Sequence, residues 1–103
     1  MTKVVSAHPR ITEAALQRAV EECARALGYM VYHTYDSRRS EPGYPDLCLV
    51  RGDRLIYAEL KSARGRVKPA QHAWLAALAA AGAETYVWKP DHWLSGEVER
   101  VLR

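Results

Sequence analysis

The sequence predicts a single α/β domain over residues 1–103, with helices packed on a mixed central sheet. Two segments carry apolar residues at helical spacing and four runs are rich in β-branched and aromatic residues. With a last helix at the C-terminal end, the order is α-β-β-β-α-β-α. A chain of 103 residues is long enough for one hydrophobic core and too short for two. Residues 1–10 show no periodicity, so we expect a flexible lead-in.

The first helix is predicted to follow Thr12, a residue type that favours the N-cap position. Its apolar positions recur at helical spacing and form one stripe: Leu16, Val20, Cys23 and Leu27. Gly28 is predicted to end the helix as the C′ residue.

Three strands are predicted next. The run YMVYHTY (29–35) is rich in aromatic and β-branched residues, and a loop dense in Ser, Pro and Gly follows it. The runs DLCLV and RLIYAELK are joined by Arg51-Gly52-Asp53-Arg54. Gly-Asp between two strand-like runs is typical of a two-residue hairpin with a type II′ turn.

The last three elements follow from their boundary residues. Pro69 is predicted at the first position of the second helix, which Gly82 closes. The run ETYVWK predicts a fourth strand. We expect Asp91 to cap a last helix that reaches Arg103, with Gly96 as a weak point inside it.

The composition is that of an ordinary soluble globular protein, with 49% apolar and 26% charged residues. The longest apolar run falls far short of the roughly 20 residues of a spanning helix, and no secretory signal opens the chain. We therefore expect a cytoplasmic protein, with Cys23 and Cys48 as reduced core thiols. The histidines lack zinc-ligand spacing.

The charge distribution says more than the net charge of +3. Basic residues fall in two groups: Arg38 and Arg39, and then Lys61, Arg64, Arg66 and Lys68. Local basic clusters of this kind are the electrostatic footprint of a phosphate backbone, although solvated loops are the alternative for either cluster alone.

Acidic residues stand where the hairpin strands should be buried. With Gly52-Asp53 as the turn, cross-strand partners sum to 105, which brings Asp46 opposite Glu59 with Cβ atoms about 5 Å apart. Like charges at that distance destabilise a sheet unless a cation lies between them, and hard ions such as Mg²⁺ prefer carboxylate oxygens. Lys61 lies on the same face, about 6.6 Å further along the strand. The backbone carbonyl of Leu60 is within reach of the same ion.

The helices add two polar residues to this picture. At 100° per residue, Glu13 falls about 50° from the centre of the apolar stripe, whereas Glu21 and Glu22 fall roughly 130° away, on the predicted solvent side. Gln71 precedes Trp74 on one face of the second helix. Taken singly, a first-turn Glu is also explained by the helix dipole and Gln71 by an exposed or capping role.

These residues match a known signature. Pro45-Asp46 followed by Glu59-Leu60-Lys61 resembles the PD-(D/E)xK nuclease motif. With YHTYDSRRSEPGYPDL, YAELKSARGRVKPAQHAWLAALAAAG and TYVWKP around it, the chain from Glu13 to Pro90 resembles the virus-type replication-repair nuclease (VRR-NUC) domain in its stand-alone phage and bacterial form.

The resemblance implies a restriction-endonuclease-like core and Mg²⁺- or Mn²⁺-dependent hydrolysis of DNA phosphodiester bonds. It implies that Asp46 and Glu59 bind the metal, that Lys61 is the catalytic lysine, and that Glu13, through water, and Gln71 support them from the two helices. Strand geometry adds the Leu60 carbonyl as a further metal ligand. The resemblance also implies the cytoplasm of a bacterium or of a phage-infected cell. The expected DNA-contacting residues are Arg38, Arg39, Arg64, Arg66 and Lys68.

Stand-alone members of this family resemble Holliday-junction resolvases, which implies a homodimer acting on branched DNA. Four aromatic residues are candidates for the dimer interface or, alternatively, for the core: Tyr29, Tyr32, Tyr35 and Trp93. A flap- or nick-directed nuclease, a non-catalytic DNA-binding or assembly module of the same fold, and an unrelated α/β protein with a chance motif are the alternatives. The DNA structure, the metal and the pathway, such as replication, repair or packaging, stay open.

Overall fold

The structure, a computed structural model, describes residues 11–35 and 39–103. The predicted lead-in and Arg38 lie outside the described residues. The elements are α1 (Glu13–Ala26), β1 (Met30–His33), β2 (Leu47–Arg51), β3 (Arg54–Leu60), α2 (Pro69–Ala80), β4 (Glu84–Trp88), α3 (Pro90–Leu94) and α4 (Glu97–Leu102).

The sheet is mixed, as predicted, and its strand order is β1-β2-β3-β4. The pairs β1–β2 and β2–β3 are antiparallel, whereas β3 and β4 are parallel and are joined through α2. The hairpin register is confirmed, since Arg51 pairs with Arg54 and Leu47 with Ala58, and Gly52 has the positive φ of 60° that its turn needs. One step beyond that register, Asp46 lies beside Glu59.

The two faces of the sheet differ in what covers them. On one face the inward residues of β2 and β3 join α1 and α4 in the core, whose fully buried members include Leu16, Val20, Leu49, Ile56, Leu60, Val98 and Leu102. On the opposite face α2 packs over β3 and β4. The rest of that face exposes Met30 (77%), Tyr32 (62%), Val50 (37%) and Leu55 (39%).

Helix α1 begins and ends as predicted. The Thr12 side chain accepts a hydrogen bond from the Ala15 amide at 3.0 Å, and Gly28 adopts φ 93° just after the helix. The prediction that Glu21 faces solvent is wrong, because Glu21 is only 9% exposed. Gln17 and Arg25, one turn before and after it, bind its carboxylate and cover it.

The prediction of one continuous C-terminal helix capped by Asp91 is also wrong. Lys89 is the N-cap residue, and its amide donates to Nδ1 of His92 at 2.8 Å. Gly96 takes a left-handed conformation with φ 85°, which separates α3 from α4.

Arg51 and Arg54, on either side of the hairpin turn, are both held by groups from other elements. Arg54 donates to both oxygens of Glu84 (2.8 and 2.7 Å) and to the hydroxyl of Tyr29 (2.7 Å). Arg51 lies over the Tyr29 ring at 4.4 Å and donates to the carbonyl of Leu27. These contacts join α1, the sheet and the C-terminal residues, and they leave both arginines occupied at the edge of the sheet opposite Asp46.

The two cysteines and the length of the helices bear on the predictions made from composition. Cys23 and Cys48 are both free and half-buried, so neither is a fully buried core residue. Among the described helices, none combines the length and the hydrophobicity needed to cross a bilayer.

Candidate active site

The predicted site residues meet at one edge of the sheet. Asp46 immediately precedes β2, and Glu59 and Lys61 lie at the end of β3. Thr34 fixes the approach to β2, because its amide donates to the Asp46 carbonyl and its hydroxyl donates to the Pro45 carbonyl, both at 2.9 Å. The backbone at Pro45-Asp46 is therefore tied to the end of β1.

Glu59 is the most buried acid of the site, with 3% of its surface exposed. Its Oε2 accepts from Nε2 of Gln71 at 2.8 Å and lies 3.3 Å from Nζ of Lys61. Its Oε1 is buried and has no hydrogen-bond partner. An unpartnered buried carboxylate oxygen costs free energy, so a ligand bound at Oε1 would restore an interaction that the described residues do not supply.

Asp46 lies against Glu59. Its Oδ2 accepts from the Leu60 amide at 2.8 Å, and its carboxyl group interacts electrostatically with that of Glu59. Burial raises the pKa of both groups, and burial together with the Asp46 charge raises the pKa of Glu59 to about 7. Lys61 opposes this by lowering both pKa values. The opposed carboxylates that the hairpin register predicts are thus present.

The amide of Gln71 is held from both ends. While Nε2 donates to Glu59, Oε1 accepts from the Lys68 amide at 2.8 Å at the start of α2. Gly43 brings the preceding loop onto the same helix turn: it has φ 89°, and a Cβ there would lie 2.5 Å from backbone atoms of Ala70. Only glycine fits this approach. The contact fixes α2 against the loop that leads to Asp46.

Glu13 stands at the rim. Its side chain is exposed, and none of the described residues forms a hydrogen bond with it. Even so, partial burial and the charge of Asp46 raise its pKa, and Lys61 lowers it. Glu13 is therefore near enough to Asp46 and Lys61 for their charges to act on its carboxyl group. The prediction that it is the one inward-facing helical acid is wrong, because Glu21 is the more buried of the two.

These residues fit a metal that keeps water ligands. Within the described ranges no cluster of three His, Cys, Asp or Glu side chains forms a ready-made cage. Mg²⁺ is usually bound by one or two carboxylates with water completing its octahedron, which matches the Asp46–Glu59 pair. In an extended strand the N–H and C=O of one residue project to the same side. Because the Leu60 amide faces Asp46, the Leu60 carbonyl is directed to that side too.

Of the basic residues predicted to contact DNA, those that the structure describes are on the surface. Arg39, Arg64, Arg66 and Lys68 are exposed. Sequence reasoning missed two others near them, His72 and Lys89, which line a groove with Arg64 and Arg66. The available signal was the β3-α2-β4 order, because parallel strands end at the same edge of a sheet and Lys89 follows β4 as Lys61 follows β3.

The buried carboxyl pair predicts how stability depends on pH. The pKa of Glu59 is raised above its ordinary value, so its contribution is present at low pH and is lost as pH rises through about 7. The measurement is the free energy of unfolding in urea, with chelator present, at several pH values. Between roughly pH 5 and 8, the free energy of unfolding of the wild type should fall by on the order of 2 kcal/mol relative to that of Glu59→Gln. Glu22→Gln, at an exposed position of α1, is the matched control. If the free energy of unfolding depends on pH in the same way for wild type and Glu59→Gln, the raised pKa of Glu59 is contradicted.

Comparison with known proteins addresses the fold and the family. The family model of the VRR-NUC domain matches residues 3–90. Two solved structures are similar: a "VRR_NUC domain protein" with TM-score 0.63 and 23% identity, covering 79% of each chain, and a "VRR_NUC domain" with TM-score 0.62 and 23% identity, covering 74% of this chain and 83% of that chain. No curated protein matches the sequence.

At 23% identity the two structures establish the fold alone. They confirm the predicted mixed sheet flanked by helices in a nuclease-type fold. The family model spans most of the chain, so this protein belongs to the VRR-NUC domain family.

Proposed function

We propose that this protein is a metal-dependent endonuclease that hydrolyses phosphodiester bonds in DNA, with a preference for branched structures. The observation that carries the proposal is the Asp46–Glu59 pair, with its unpartnered buried oxygen, beside an ammonium group. A module that only binds DNA gains nothing from this arrangement, because opposed carboxylates repel phosphate and destabilise the sheet.

Asp46, Glu59 and the Leu60 carbonyl would hold Mg²⁺ or Mn²⁺, and Glu13 would act through water. The chemistry that such an ion would supply is Lewis-acid polarisation of the scissile phosphate and a lowered pKa of a water molecule.

The chain's own residues supply the rest of the mechanism. Lys61, with 12% of its side chain exposed, can place its ammonium on the phosphate oxygen that gains charge or on the attacking water. Gln71 positions Glu59 and so keeps Oε1 directed to the ligand site. The exposed arginines and lysines nearby would hold the DNA by its phosphates, which orients the substrate without reading its sequence. This favours selection by DNA structure.

A homodimer is part of the proposal, since resolving a four-way junction requires cuts in two strands. The surface that supports it is the uncovered sheet face at edge strand β1, where Met30, Tyr32 and Val50 are exposed. Tyr35 is also 85% exposed, whereas Tyr29 is buried and Trp93 packs against the core. Sedimentation equilibrium should show a dimer at micromolar concentration, and a Tyr32→Arg variant should be monomeric. If the wild type is monomeric at every concentration, the homodimer is excluded from the proposed function.

The test of the function is a substrate panel. Four-way junctions, 5′ and 3′ flaps, nicked duplex and linear duplex are incubated with Mg²⁺, Mn²⁺ or chelator. We expect cleavage in either metal, none in chelator, and the highest rate on the four-way junction. A flap or nick preference would move the proposal to the alternative nuclease class. Binding without cleavage in every metal would establish the non-catalytic module instead.

A further inference from the structure

A basic groove lies next to the candidate active site. It encloses about 730 Å³, and its polar lining comes from three separate segments: Arg64 and Arg66 in the loop after β3, His72 in α2 and Lys89 after β4. Asp46 and Gln71 line a different cavity, of about 240 Å³. The groove is therefore adjacent to the carboxylate pair and separate from it.

Nothing in the described chain neutralises this groove. Its lining contains no acidic residue. Within residues 11–35 and 39–103, no ion pair involves Arg64, Arg66, His72 or Lys89. Arg54, by contrast, is bound by Glu84 at the opposite edge of the sheet. Three cations and an imidazole that converge from three segments without a carboxylate form a site complementary to an anion.

Two of the segments that line the groove contact Lys61. The turn that carries Arg64 and Arg66 is closed by a hydrogen bond from the Gly65 amide to the Ser62 carbonyl at 3.0 Å. It packs so closely on the lysine that a Cβ at Gly65 would lie 3.3 Å from Cβ and Cδ of Lys61. On the other side, the Lys61 amide donates to the carbonyl of Trp88, the residue before Lys89, at 3.0 Å. An anion in the groove thus neighbours any phosphate at Lys61.

We propose that this groove is a second phosphate-binding subsite, which holds a DNA backbone phosphate next to the one being cleaved, with Lys89 and His72 joining Arg64 and Arg66 as its ligands. The inference rests on the proposed function and extends it, because it assigns a direction to the DNA: from the carboxylate pair, past Lys61, towards the end of β4. It also separates Lys68, which does not line the groove, from Arg64 and Arg66.

The test measures DNA affinity without cleavage. Anisotropy titrations use Asp46→Asn protein in chelator with labelled DNA over a range of salt concentrations. Each lost phosphate contact lowers the slope of log K against log[salt] by about one. Adding Arg66→Gln with Lys89→Gln should therefore lower the slope by about two. Arg18→Gln removes one charge at an exposed position of α1 and should leave the slope unchanged, and Arg66→Lys should retain it.

A second measurement localises the contact. Neutral methylphosphonates replace single phosphates, one at a time, along the bound DNA. At one position the substitution should weaken binding of the Asp46→Asn protein but not of the same protein carrying Lys89→Gln. Two results would overturn the subsite. One is a salt slope for the groove variants equal to that of Arg18→Gln. The other is that the losses of affinity from Lys89→Gln and from methylphosphonate substitution add up at every phosphate position. Because neither measurement needs cleavage, failure of the wild type to cut any DNA would sink the proposed function and leave this result readable.

Discussion

Replacing Asp46 by Asn or Glu59 by Gln is expected to lower the DNA cleavage rate at least about a thousand-fold. That corresponds to about 4 kcal/mol of barrier, the scale on which a bound metal stabilises charge in a transition state. The reason is that each change removes a charge from the pair around the unpartnered Oε1, so a divalent ion is bound weakly and out of place. The measurement is single-turnover cleavage of the preferred panel substrate in saturating Mg²⁺.

The same variants carry their own control for folding and binding. In chelator their DNA affinity should equal or exceed that of wild type, because a carboxylate that repels phosphate has been neutralised. Glu22→Gln removes one charge from an exposed part of α1 and should cleave like wild type. Cleavage by both site variants at the wild-type rate would refute a metal-dependent mechanism at this pair.

Lys61→Gln is expected to slow cleavage by about a hundred- to a thousand-fold, the usual cost of removing one preorganised charge-stabilising donor. Lys61 is largely shielded from water, and its ammonium is the basic group that pairs with Glu59, at 3.3 Å. Its loss also raises the pKa of Glu59 further, because the Lys61 charge lowers that pKa. Some of the effect will therefore appear as weaker metal binding near neutral pH.

The two contributions of Lys61 separate on titration with metal. We expect Mn²⁺ affinity, measured by calorimetry at roughly pH 7, to fall, and the cleavage rate to stay low even at saturating metal. Lys61→Arg keeps the charge and should recover part of the rate. Full recovery of the Gln variant at saturating metal would reduce Lys61 to a positioning residue for Glu59.

The central part of the site followed from a short stretch of sequence. Gly52-Asp53 predicts the turn, the turn sets the register, and the register brings Asp46 beside Glu59. These steps are local, since a two-residue loop leaves few ways to pair the strands that flank it. The same holds for Thr12 and Gly28, whose side-chain chemistry and backbone freedom decide where α1 begins and ends.

Other residues were out of reach of such reasoning. Helical periodicity predicted that Glu21 faces solvent, because periodicity does not include side-chain contacts along the helix surface. Gln17 and Arg25 bind the Glu21 carboxylate and cover it. The contribution of Lys89 to the groove depends on the parallel pairing of β3 with β4, which joins residues far apart in sequence. The Leu60 amide that binds Asp46 belongs to the backbone, so no residue type announces it.

The sequence by itself determined the order of elements as far as β4, the hairpin and which acids oppose each other, because turn chemistry and side-chain periodicity act between near neighbours. Tertiary structure alone decided that Gln71 reaches Glu59, that Oε1 is left without a partner, and that cations from three segments surround one groove. Those features arise only when α2 packs across two parallel strands. They are stabilised by the burial of apolar surface over the whole core, so no single stretch of sequence specifies them.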